Sequence, residues 1–321
     1  MVFAVLAAVS FASVLLALCA GSMDIAPGRV LSSLLGNGQG QVDRVVLELR
    51  LPRVASGFLV GAMLALAGAL MQVLLRNPLA DPYVLGISGG SAVFALLAMG
   101  AGLGTAWIQL SAFSGALLSV LLVFLLARGG AWDTLRLLLT GVVLAAGWGA
   151  VVSLLLAVSP AAQVRGMLFW LMGDLAVAQF SPAAAAILLA CLFVALIAGR
   201  ALNLLARGDL EARSLGVPVA SLRLTVYLLS ALLTATAVMQ AGTIGFVGLV
   251  IPHIARLLLG SDHRVLLPAV TLLGGSLLVL ADALARTVLA PQQLPVGVLT
   301  AMIGVPLFLF LLRTAARSQQ P

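Results

Sequence analysis

The chain has 321 residues, of which 63% are hydrophobic and 8% charged, and its formal net charge is +7. A soluble domain carries about 25% charged residues and could not hide this much apolar surface, so the composition excludes a water-soluble globule. All 17 basic residues are arginine, placed at the ends of apolar segments; membrane proteins anchor themselves in this way, which excludes a nucleic-acid surface despite the positive charge.

A helix needs about 20 apolar residues to cross the hydrocarbon core. In chain order, residues 2–20 and 54–75 each suffice for one crossing. The run 82–127 is long enough for two, broken near 100–104, and 137–164 and 175–199 give one each. Residues 224–255 divide again at the glycines after Gln240, and 265–281 and 287–312 complete the set. The expected architecture is an all-α polytopic membrane protein with about ten transmembrane helices. With a cytoplasmic N-terminus, eleven arginines (Arg128 among them) fall inside and six outside, in keeping with the positive-inside bias. An outer loop over 21–53 and a cytoplasmic loop over 200–223 are too short to fold alone, so 1–321 reads as a single transmembrane domain.

The polar and glycine-rich stretches carry the remaining information. LALCAG (16–21) is similar to a lipoprotein cleavage box, but no basic residue precedes the apolar stretch, so an uncleaved first helix is expected. Cys19 and Cys191 lie inside apolar segments and read as small buried hydrophobes. The outer loop holds four arginines, against the charge rule, which gives those charges a task of their own. In RNPLADP (76–82), Pro78 and Pro82 forbid regular helix, and Asn77 and Asp81 can satisfy the freed backbone groups. The result is a rigid turn, or a constriction where a pore meets the cytoplasm. GISGGS (86–91) has the G-x-S-G form of intramembrane serine proteases, with His253 as a conceivable base for Ser88; nothing in the chain supplies the other parts of such a site.

GDLEARSLGVP (208–218) is the most informative polar stretch. Asp209 is placed to cap a helix, Gly216 to close it in the left-handed conformation, and Pro218 to stop it. A helix of about two turns is marginal alone in water, so something must dock against it. Gly242, Gly245 and Gly248 recur every third residue and predict one small-residue packing face. Gly248 also lies four before Pro252, where the proline ring meets the smallest possible turn. His253 and His263, the two histidines, are ten residues apart beside Arg256 and Arg264. That spacing gives no helical metal pair, so they read as polar anchors on the cytoplasmic surface, with no metal.

A secondary transporter needs ionisable groups deep in the membrane; here Asp174, Asp282 and Arg286 lie only near span ends. A channel or facilitator would not need a docking helix. A P-loop requires a lysine, which this chain lacks, so an ATPase driving transport must be another polypeptide.

Taken in order, RLPR (50–53), GAMLALAGALMQ (61–72), RNPLADP (76–82), LGISGGS (85–91), FWLMGDL (169–175), EARSLGV (211–217), GTIGFVGLVIPHIARLLLGSDHR (242–264), LLP (266–268) and ADALAR…LPVGVLTA (281–301) span nearly the whole chain. Together they resemble the transmembrane subunit of the large type II ABC importers, the class that takes up cobalamin, iron–siderophores and haem. The resemblance implies a cobalamin-permease-like ten-helix subunit that forms a homodimer in the bacterial inner membrane, with both termini cytoplasmic. It implies two separate ATPase subunits, which bind the ATP and Mg, and a periplasmic substrate-binding protein; this chain itself binds no cofactor. It places Asp209, Glu211, Ala212, Arg213, Ser214, Leu215 and Gly216 in the element that couples to the ATPase. It places Arg50, Arg53 and Arg286 where arginines pair with glutamates of the binding protein, as rim charges. It places Asn77, Pro78 and Leu79 at the cytoplasmic gate. Haem or another iron chelate is the expected substrate and cobalamin the alternative, a preference that rests on how common iron uptake is in the family.

Overall fold

The computed structural model describes residues 2–21, 23, 25–36, 40–127, 134–176 and 178–317, without the side chains of 312 and 314–317. Arg128, expected on the cytoplasmic side, lies outside the described residues. Among the described residues the fold consists of 14 helices and no strand. They are α1 (Val2–Cys19), α2 (Pro27–Leu34), α3 (Gln41–Leu74), α4 (Ile87–Gly100), α5 (Thr105–Ala127), α6 (Thr134–Val158) and α7 (Ala161–Leu171). There follow α8 (Pro182–Ile197), α9 (Gly199–Arg207), α10 (Asp209–Ser214), α11 (Val219–Ala241), α12 (Val247–Leu259), α13 (His263–Thr287) and α14 (Val296–Arg317).

Six of these (α1, α3, α5, α6, α11 and α13) are long and apolar enough to cross a membrane, and α8 with α9, bent by 64°, makes a seventh. Three shorter apolar helices, α4, α12 and the apolar part of α14, accompany them. The two long runs break where their glycines placed the breaks: α4 ends at Gly100 and α11 at Ala241. The run 175–199 starts later than its apolarity suggests. Its helix begins at Pro182, where the Ser181 side chain accepts from Ala184 N at 3.3 Å and proline takes the first helical position.

Helix α3 is the centre of the fold. Of its most apolar window, 89% is buried inside the chain, against 6% for α6, so α3 is encircled by protein while α6 offers its flank to lipid or to another chain. Helices α11, α12 and α13 pack on α3. Lipid supplies no hydrophobic force between helices, and small residues substitute for it by admitting close contact. Gly61 and Gly274 meet backbone to backbone: a Cβ on Gly61 would lie 2.7 Å from Leu278 Cβ. Tyr227 on α11 satisfies its buried hydroxyl within the bundle, donating to the Val120 carbonyl of α5 at 2.7 Å.

Candidate functional site

The described residues with chemistry gather at the two ends of the bundle. At the end expected to be cytoplasmic, α10 is a helix of six residues, close to the two turns expected. It closes in a Schellman motif. Gly216, at φ +79°, donates its N–H to the Arg213 carbonyl at 3.0 Å, and Val217 donates to Ala212 at 2.9 Å. Asp209 does not cap the helix, which corrects the expectation. Its carboxylate accepts from buried Arg223 on α11 at 2.8 Å and faces Arg76 at 3.9 Å, because an ion pair with two guanidiniums outcompetes the local N–H groups. Ala212 is fully buried beneath α10, while Glu211, Arg213, Ser214 and Leu215 are exposed and Leu210 is 86% exposed. Leu210 was not singled out from the sequence, although an apolar residue in so polar a loop was a readable signal.

Asn203 ties α9, the helix before α10, to α13. It donates to Asp262 Oδ1 at 2.9 Å and accepts from the His263 backbone N–H at 2.9 Å. Asp262 in turn accepts from Arg264 N, capping α13. The hydrogen bonds from the Arg264 side chain, with Asn203 adding to them, hold the Asp262 carboxyl well below the usual carboxylate range. His263 is buried with its Nδ1 on Asn203 Oδ1 at 2.6 Å, so it is no surface anchor; this corrects the reading of the histidines. His253 instead lies edge-on to Phe308, with ring centroids 6.3 Å apart. No hydrogen bond joins it to Ser88 among the described residues, and the glycines around Ser88 serve packing: Gly90 meets the Gly115 carbonyl and Gly89 meets Trp148.

The turn after α3 is built by its own side chains. Asn77 Oδ1 accepts from Leu79 N at 2.9 Å, and Asp81 Oδ1 accepts from Tyr83 N at 2.8 Å. Arg76 stands at φ +48°, sparsely populated for a non-glycine residue, and Leu79 is exposed. Tyr83 reaches the link between α11 and α12, donating to Ile244 O at 3.2 Å while accepting from Ile244 N at 3.1 Å. Non-helical backbone at membrane depth is tolerated only where protein satisfies it, and Tyr83 does so here.

That link also corrects the expectation of a glycine face. Gly242 and Gly245 precede α12 and are not helical. Gly242, at φ +68°, packs on the Trp170 carbonyl, Gly245 has nothing within 4 Å, and only Gly248 packs within α12, against Gly68. Pro252 has no N–H for the Gly248 carbonyl four residues back. Gln72 of α3 supplies the donor, its Nε2 lying 3.4 Å from Gly248 O and 3.3 Å from Leu249 O. Gln72 Oε1 then accepts from Arg256.

At the opposite end, Arg50, Arg53 and Arg286 converge on one cavity of about 290 Å³, lined also by Leu49, Ala176, Pro291 and Gln293. Two of them are not rim charges. Arg50 is 6% exposed and Arg286 8%. Arg50 donates to the carbonyls of Leu18 at 2.7 Å and Cys19 at 2.8 Å, and to Met23, while Arg286 donates to Ala17 at 3.1 Å. Both therefore cap the open carbonyls at the C-terminus of α1, where the helix dipole favours a cation. Asp282, 1% exposed, lies between Arg53 at 2.8 Å and Arg286 at 3.1 Å. Arg53 also donates to Gln293 at 2.7 Å, toward the open side.

Comparison with known proteins matches this arrangement over nearly its whole length. The chain is 44% identical over 274 residues to the hemin transport system permease protein HmuU of Yersinia pestis, covering 83% of this chain and 82% of that one. It is 40% identical over 307 residues to the vitamin B12 import system permease protein BtuC of Salmonella newport, covering 94% and 92%. Among solved structures, a chain described as a metal-chelate type ABC transporter in an inward-facing conformation superposes with a TM-score of 0.85 at 33% identity, covering 96% of this chain and 97% of that one. The FecCD transport family model matches residues 8–314. The chain belongs to the FecCD transport family, as a multi-pass membrane permease.

Proposed function

We propose that this chain is the permease subunit of an ATP-driven importer carrying haem or another iron chelate across the bacterial inner membrane. The observation that carries the reading is α10: a short, deliberately closed helix that presents Leu210 and Leu215 to water at the cytoplasmic end. A channel has no use for such an element, whereas a separate ATPase, binding ATP and Mg, needs a point on which to push. The chain has no lysine with which to build a P-loop of its own. On this reading residues 209–216 seat the ATPase, Asn77, Pro78 and Leu79 form the cytoplasmic gate, and both termini are cytoplasmic. The cavity holding Arg50, Arg53 and Arg286 receives carboxylates of a periplasmic binding protein, and two copies of the chain enclose the path, with α6 offering its uncovered flank.

Haem is supported by the likeness to the Yersinia hemin permease. The longer match to the vitamin B12 permease supports the second reading, cobalamin. Titrating the co-encoded binding protein with haem, ferric siderophores and cobalamin decides between them. Tight binding of an iron chelate is expected, and tight binding of cobalamin alone would replace this reading with the second.

A further inference from the structure

Between the end of α3, the end of α9 and the α12–α13 junction lies a pocket of about 240 Å³. Its polar lining is Gln72, Arg76, Asn77, Arg256, Ser261 and His263, with no carboxylate among the lining residues. Two acids beside these residues are already engaged: Asp209 by Arg223 and, more distantly, Arg76; Asp262 by Arg264 and Asn203. Arg256 is half-buried, and no carboxylate reaches it among the described residues; its hydrogen-bond partner is the neutral Gln72 amide. The Gln72 amide nitrogen is held by the Gly248 carbonyl that Pro252 leaves open and by the Leu249 carbonyl. Carbonyls that would repel an anion here are spent, Gln72 O on Asn77 N and Val73 O on Arg76 N. Arg76 is held at a positive φ that an arginine adopts only when its surroundings impose it.

A half-buried guanidinium facing a polar cavity without a counter-charge calls for an anion, and two guanidiniums with neighbouring amide and hydroxyl donors suit a small oxyanion. We infer that this pocket binds an oxyanion, a phosphate or a carboxylate, held between Arg76 and Arg256. At about 240 Å³ the cavity has room for such a group together with water. Its wall includes Ala206, at the approach to α10, and Asn77 and Pro78 of the turn after α3, so an occupant joins the elements assigned above to coupling and to the gate. The site itself does not depend on those assignments.

The test uses the full chain in nanodiscs of zwitterionic lipid. Thermal unfolding is followed with inorganic phosphate or with citrate against chloride at matched ionic strength. A rise in Tm with either anion is expected, with the half-saturating concentration raised about tenfold or more in Arg256→Gln and partly restored in Arg256→Lys. A stronger response to phosphate assigns the site to phosphate; a stronger response to citrate assigns it to a carboxylate. Should Arg256→Gln not fold, Arg76→Gln supplies the same comparison. No rise with either anion, or a rise of equal size and midpoint in the variants, overturns the inference and leaves the importer reading untouched.

Discussion

Asp282 shows how one side chain can organise an entire surface. It is a single carboxylate between Arg53 and Arg286, within a buried network that also braces α1. Replacing it by alanine leaves both guanidiniums without that partner. Removing one member of a buried ion pair costs about 3–5 kcal/mol, so Asp282→Ala is expected to lower unfolding stability by that order, measured in detergent by denaturant titration; a change under about 0.5 kcal/mol, as for a surface residue, would refute the role. Arg53 poses a different question, because Arg286 still neutralises Asp282 when Arg53 is removed. Arg53→Gln is therefore expected to fold and to weaken docking of the binding protein about tenfold, more at low salt than at high. Docking that is unaltered at low salt would remove Arg53 from the interface. The four arginines of the outer loop marked Arg50 and Arg53 in the sequence, but it gave no hint that Arg50 and Arg286 cap α1, since that contact joins residues more than thirty and more than two hundred positions apart in the chain.

At the scale of the element, α10 separates stability from function. Leu210 is 86% exposed and touches little of its own chain, so Leu210→Ala should leave unfolding within about 0.5 kcal/mol of the parent. An apolar anchor truncated at an interface costs more than about 1 kcal/mol, so co-purification with the ATPase should fall at least several-fold. Wild-type ATPase binding by this variant would argue against α10 as the seat. The turn 76–82 makes the second prediction. Cysteine at Leu79 in each of two copies is expected to crosslink in one nucleotide state and not in another, blocking uptake while linked; crosslinking that ignores nucleotide would take Leu79 out of the gate. The prolines made this turn legible, as the glycines after Gln240 made the α11–α12 break legible. What they could not convey is that the two features are joined, through Tyr83 to Ile244 and through Gln72 to Gly248.

For the whole molecule, the central contrast is between α3, wrapped by its neighbours, and α6, left almost bare. The most apolar windows of both are about equally apolar, so hydropathy sees them alike; in lipid, an apolar face is equally content against hydrocarbon, a neighbouring helix or a second copy of the chain. The sequence by itself determined the class of the molecule, its crossings, its breaks and the closed turn at Gly216. These follow from local causes: segment length against bilayer thickness, missing N–H groups at proline, and the freedom of glycine at positive φ. Tertiary structure alone decided which helix lies at the centre, that Asp209 pairs with Arg223 instead of capping α10, that Gly245 packs on nothing while Gly248 meets Gly68, and that His263 is buried on Asn203. Each of these depends on what stands opposite a side chain once distant segments have met, and no spacing along the chain encodes that.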